Sequence, residues 1–126
     1  MRVLDLTRVI AGPVGTRFLA AYGADVLRVD PPGFAEVPAL LPETTAGKRT
    51  AALDLRAADD RAAFESLVAA ADVLISGLRA DALARLGYDD AALAALNPAL
   101  IVASLHGYHQ TLQVYSGPHS KSQSQP

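Results

Sequence analysis

Five short apolar runs recur between residues 2 and 105, each separated from the next by a segment of helix length. The runs are 2–6 (RVLDL), 25–29 (DVLRV), 50–55 (TAALDL), 72–76 (DVLIS) and 100–105 (LIVASL). Residues 13–22 fit a helix, with Pro13 in its first turn and Gly23 at its C-cap. A second helix spans 61–70, with Asp59 or Asp60 as its cap and apolar residues at helical spacing. Two short helices follow near 80–86 and 89–96, ended by Gly87 and by Asn97-Pro98. Strands alternating with helices predict an α/β fold: a Rossmann-like, doubly wound, mainly parallel sheet, incomplete at about five strands.

Two stretches break the alternation. Asp30-Pro31-Pro32-Gly33 cannot continue a central strand, and 34–47, with Pro38 and Pro42, has no clear period and reads as a surface excursion. The second break is compositional. All 25 alanines lie at or before Ala103, whereas all four glutamines lie in the last 18 residues beside four serines and two prolines. The expected division is therefore a folded portion over 1–108 and a disordered tail over 109–126 that is foreign to it.

At 126 residues the chain has room for one core. Its 11 basic and 13 acidic residues give a net charge of -2 without a basic run, so neither nucleic acid nor an anionic membrane is an expected partner. Cysteine is absent, which excludes disulfides and thiolate metal sites, and no metal is expected. Apolar stretches fall short of the ~20 residues needed to span a bilayer. The N-terminus meets Asp5 before any signal-peptide h-region can form, so a cytoplasmic protein is expected.

In an open parallel sheet, ligands bind beyond the carboxyl ends of the strands. Thr7–Gly12, Arg56, Gly77-Leu78-Arg79 and His106-Gly107-Tyr108 follow strands one, three, four and five, and so belong to one edge. They supply glycines, apolar walls and cationic groups, a lining suited to a nucleotide with phosphates. Each also has a plainer reading. Arg8 and Arg56 fit solvated surface arginines, Gly12 and Gly77 fit turns, His106 fits an exposed histidine, and Lys48-Arg49 simply flank a strand. Only their convergence makes a site. Dinucleotide binding is the competing reading, but the first turn reads Ala11-Gly12-Pro13-Val14-Gly15-Thr16. It lacks G-x-G-x-x-G, and Pro13 removes a backbone N–H that would face a pyrophosphate. A G-x-x-x-x-G-K-[ST] loop is also absent.

Four stretches, taken together, resemble the N-terminal region of the family III CoA-transferases over about residues 2–108. They are Val3-Leu4-Asp5-Leu6-Thr7-Arg8-Val9-Ile10-Ala11-Gly12-Pro13, and Gly23-Ala24-Asp25-Val26-Leu27-Arg28-Val29-Asp30-Pro31-Pro32-Gly33. The third is Gly47-Lys48-Arg49-Thr50-Ala51-Ala52-Leu53-Asp54-Leu55-Arg56. The fourth is Ala71-Asp72-Val73-Leu74-Ile75, followed by Leu83-Ala84-Arg85-Leu86-Gly87-Tyr88 and Leu96-Asn97-Pro98. That group includes formyl-CoA transferase, carnitine CoA-transferases and α-methylacyl-CoA racemase.

The resemblance implies a CoA site on the edge already deduced. Arg8, Val9, Ile10 and Ala11 would approach the pantetheine and thioester. Leu53, Leu55, Arg56, Gly77, Leu78 and Arg85 would surround the adenosine, and His106 and Tyr108 would lie near the acyl group. Coenzyme A and acyl-CoA enter as substrates together with carboxylic acids, and no tightly bound cofactor is implied. Three departures stand out: Ile10 replaces a polar residue of some members, Gly77-Leu78 replaces a frequent Asn-Phe pair, and 34–47 is short. In the transferases an aspartate beyond the fifth strand attacks the thioester, splitting one hard acyl transfer into easier steps. No acidic residue follows Asp90, so that nucleophile is expected beyond the chain end and this chain alone is expected to be inactive. The resemblance further implies an interlocked homodimer for a full-length parent. The readings left open are a truncated CoA-transferase, a non-catalytic CoA- or nucleotide-binding module, an NAD-dependent dehydrogenase domain, and the product of a truncated or frame-shifted gene.

Overall fold

The computed structural model describes residues 1–79, 81–105 and 113–116. Its elements are β1 (Arg2–Leu6), α1 (Ala11–Ala21), β2 (Asp25–Asp30), a 3-10 turn (Pro38–Leu40), α2 (Leu41–Thr45), β3 (Arg49–Ala52), α3 (Ala58–Ala70), β4 (Val73–Ser76), α4 (Ala82–Arg85), α5 (Asp90–Leu96), β5 (Ile101–Ser104) and β6 (Gln113–Ser116). The sheet runs in the order β3-β2-β1-β4-β5-β6. Neighbours from β3 to β5 are parallel, and β6 is antiparallel to β5. Chain order reverses between β1 and β4, as in a doubly wound fold.

β1 shows why two layers of helix form. Successive side chains of a strand point to opposite faces. Leu4 and Leu6 join the buried cluster that holds Phe64 and Val68 of α3, Leu93 of α5 and Leu74 of β4. Asp5, on the other face, is hydrogen-bonded to Thr16 of α1. Both faces of the central strand are therefore covered, and a near-continuous apolar run is what such a position requires. Phe64, fully buried, meets Tyr88 edge-on with ring centroids 5.0 Å apart.

Four expectations need correcting. The third strand ends at Ala52 rather than residue 55, because Asp54 accepts the Arg56 N–H and the Asp54 carbonyl accepts from Ala57, turning the chain away. Neither Asp59 nor Asp60 caps α3: its N-cap position is Ala57, and the Asp60 carboxylate accepts the Asp54 N–H instead. The stretch 34–47 is more than an excursion, since it contains α2, whose Thr44 is fully buried and whose Glu43 pairs with Arg17 of α1. Within the expected tail, Gln113–Ser116 forms a strand, with Val102 opposite Tyr115 and Ala103 opposite Val114. Its remaining positions, and the sites expected at His106 and Tyr108, lie outside the described residues.

Phe64→Ala removes the largest apolar side chain among the fully buried residues and is expected to lower stability by about 3–5 kcal/mol, read from urea unfolding of the purified chain.

Candidate functional site

The carboxyl ends of the parallel strands open onto a cleft of about 310 Å³. It brings together Arg8, Leu53, Leu55, Arg56 and Leu78, five of the residues expected at a site. The sequence reading did not select Leu6, Val29, Pro31 and Leu86, which supply much of the apolar wall. Their signal was available in outline, because each stands at or just beyond the end of an element that reaches this edge.

The remaining expected residues sit elsewhere. Val9 and Ile10 are exposed at the turn before α1, Val9 with a positive φ of 75°, and neither lines the cleft. Ala11 opens α1. Gly77 lies at the switch point between β4 and β1, where an added Cβ would stand 3.3 Å from the Thr7 Cα. Arg85 is largely exposed on α4 and paired with Asp81, outside the cleft lining.

Two guanidinium groups reach the cleft with different freedom. Arg56 is exposed, and its Nε lies 3.2 Å from Asp54 Oδ1. The Arg56 N–H first, and its guanidinium second, hold the Asp54 carboxyl below its usual range. Arg8 stacks on the Phe34 ring at 4.9 Å, and its Nε is buried with no hydrogen-bond partner among the described residues. No carboxylate pairs with Arg8 among the described residues either. An anion arriving in the cleft therefore meets one cation already shared with a carboxylate and one that is not.

Arg28, almost fully buried, lies 5.8 Å from the centre of the same Phe34 ring. It pairs with Asp30 at 2.8 Å and with Glu36. Burial works against its charge, but the hydrogen bonds it donates to Glu36 and Asp30 outweigh that effect and raise its pKa above the usual value.

The turn after β1 is held by a buried polar network that the sequence reading missed. Asp5 Oδ1 accepts the Thr7 N–H at 2.9 Å and the Thr7 hydroxyl at 2.5 Å. Asp5 Oδ2 accepts Thr16 Oγ1 at 2.5 Å and Lys48 Nζ at 2.8 Å. Lys48 Nζ also donates to the Pro13 carbonyl at 2.8 Å, and the Lys48 and Asp5 side chains are both fully buried. The available signal was Asp5 itself: a carboxylate inside an apolar strand must find donors or a cation. Gly12 belongs to this packing, because an added Cβ would stand 2.3 Å from Thr7 Cβ.

Comparison with known proteins accords with this geometry. The sequence profile of CoA-transferase family III matches residues 1–124. An acetyl-CoA:oxalate CoA-transferase of Acetobacter aceti is 36% identical over 120 residues, covering 86% of this chain and 31% of that protein. A succinate–glutarate CoA-transferase of Agrobacterium fabrum is 36% identical over 129 residues, covering 88% of this chain and 32% of the relative. The crystal structure of a CAIB/BAIF family protein from Brucella suis superposes with a TM-score of 0.77 at 32% identity, covering 88% of this chain and 33% of that one. A hypothetical protein from Mycobacterium tuberculosis gives a TM-score of 0.76 at 31% identity, covering 94% and 34%. The chain thus spans 31% and 32% of the length of these two curated relatives.

Lys48→Ala leaves the Asp5 carboxylate buried without its cation and is expected to cost about 3–5 kcal/mol in urea unfolding. Because the two groups share one network, the double change Asp5→Asn with Lys48→Met is expected to cost less than the sum of the single changes.

Proposed function

The chain belongs to CoA-transferase family III, and from that premise we propose that its cleft receives the adenine nucleotide portion of coenzyme A. Transfer of CoA between carboxylic acids through acyl-CoA thioesters is then the reaction this portion serves, in the cytoplasm, with completion of the site falling to segments that lie beyond the matched third of the relatives. The observation that carries the reading is Arg8, a cation with no carboxylate partner among the described residues, set among apolar walls at the carboxyl edge of the sheet.

The division of labour follows from the lining. Leu53, Leu55 and Leu78 offer apolar surface to the adenine. Arg8 and Arg56 offer charge to phosphates, and a guanidinium can hold two phosphate oxygens side by side. Arg8 is the stronger anchor, because Arg56 must loosen its contact with Asp54 to turn toward a ligand. Val9, Ile10 and Ala11 would meet the pantetheine arm where it leaves the cleft, and His106 and Tyr108 would lie nearer the acyl group. Arg85 would join the site only where the ligand extends over α4, since it must first leave Asp81.

Titration calorimetry of the chain with CoA and with NADH tests this. Weak binding of CoA and none of NADH is expected. Arg8→Gln is expected to weaken CoA binding about tenfold, on the order of 1.4 kcal/mol, and Arg56→Gln by less. Preference for NADH, or CoA binding indifferent to Arg8, would show that the cleft serves another ligand. Arg85→Ala separates a ligand confined to the cleft from one that reaches α4.

A further inference from the structure

Arg61 stands on the first turn of α3, outside the cleft lining, yet its guanidinium touches two of the segments that line the cleft. Its Nη1 donates to the Leu55 carbonyl at 3.0 Å and to the Leu86 carbonyl at 2.5 Å. Leu55 belongs to the turn after β3 and Leu86 to the end of α4, and both line the cleft. Among the described residues, no direct hydrogen bond joins these two segments to each other. One nitrogen therefore links the walls.

The link is itself fixed on three sides. The Arg61 guanidinium carbon lies 4.5 Å from the centre of the Tyr88 ring. Tyr88 is buried, packs edge-on against Phe64, and donates its hydroxyl to Glu65 at 3.1 Å. Gly87, with φ +89°, leaves the guanidinium its room, because an added Cβ there would stand 3.1 Å from Nη2. A delocalised cation against an aromatic face, with carbonyls at its edge, has little rotameric freedom left to lose. Its position, and with it the separation of Leu55 and Leu86, is referred back to the α3 core.

We infer that Arg61 is a positioning residue that sets the width of the cleft, and so its fit to the flat heteroaromatic base of a nucleotide. The inference rests on the cleft being the adenine end of the CoA site. A wall on α4, a single-turn helix, would otherwise be tied to the sheet edge mainly by side-chain packing. Pre-organising such a slot raises affinity by sparing the ordering cost on binding.

Two measurements on this chain test the inference, each on wild type, Arg61→Met and Arg61→Lys. In Arg61→Met, amide hydrogen exchange is expected to rise about tenfold at Arg56 and Ala57 on one wall and at Leu86 and Gly87 on the other, with β1 unchanged. CoA affinity is expected to fall about tenfold in the same variant. Arg61→Lys, whose single nitrogen carries three donors, is expected to recover both readouts in large part. Should Arg61→Met not fold, Arg61→Gln, too short to reach either carbonyl, takes its place. Unchanged exchange at either wall, a uniform rise across the chain, or CoA affinity equal to wild type would overturn the inference. If wild type binds no CoA, the functional reading falls, and the exchange pattern at the two walls alone decides whether Arg61 holds them together.

Discussion

The buried pair of Lys48 and Asp5 is the constraint from which the carboxyl edge of the sheet takes its shape. Four donors converge on one carboxylate: the Thr7 N–H, the Thr7 hydroxyl, the Thr16 hydroxyl and the Lys48 ammonium. They come from the turn after β1, from α1, and from the residue before β3. A carboxylate and an ammonium taken out of water are costly unless such partners are in place. The network therefore forms whole, and it fixes the first turn, the first helix and the entry to the third strand relative to one another. Lys48 adds a second tie by donating to the Pro13 carbonyl in the first turn of α1.

With that edge fixed, the topology does the rest. The reversal of strand order between β1 and β4 leaves a crevice beyond their ends, and Gly77 lets the two turns approach to contact distance at Thr7. Arg8 follows Thr7 directly, so the network that orients Thr7 also presents Arg8 to the cleft. Phe34 packs near both Arg8 and Arg28, and Arg28 pairs with Asp30 and Glu36 while Arg8 has no such carboxylate partner among the described residues.

Much of this was legible in residue order. The five apolar runs became the five parallel strands, and Gly23 and Gly87 stand at helix ends with positive φ. Assigning turns after strands one, three and four to one edge placed Arg8, Arg56 and Leu78 together, and the family resemblance added Leu53 and Leu55. Lys48 was read as a flanking residue, because nothing local distinguishes a lysine that precedes a strand from one that turns inward to Asp5. Arg61 was not singled out, for a similar reason: its two carbonyl partners come from segments on either side of it in sequence. The strand Gln113–Ser116 was hidden by a Gln- and Ser-rich context, since pairing with β5 depends on backbone groups that composition does not reveal.

By itself, the sequence determined the alternation of strand and helix and, through four stretches that resemble it, the family. The alternation follows from local patterning, which needs no knowledge of which side chains touch, and the family from the resemblance of those stretches. Tertiary structure alone decided which cations are free and which are committed. Arg85 and Arg56 are drawn to neighbouring aspartates, Lys48 and Arg28 are buried in ion pairs, Arg61 spans two walls, and Arg8 remains open to the cleft. All carry the same single positive charge. Arg56 and Arg85 meet aspartates two and four residues away, whereas the partners of Lys48 and Arg61 are brought within hydrogen-bond distance by contacts between segments far apart in the chain.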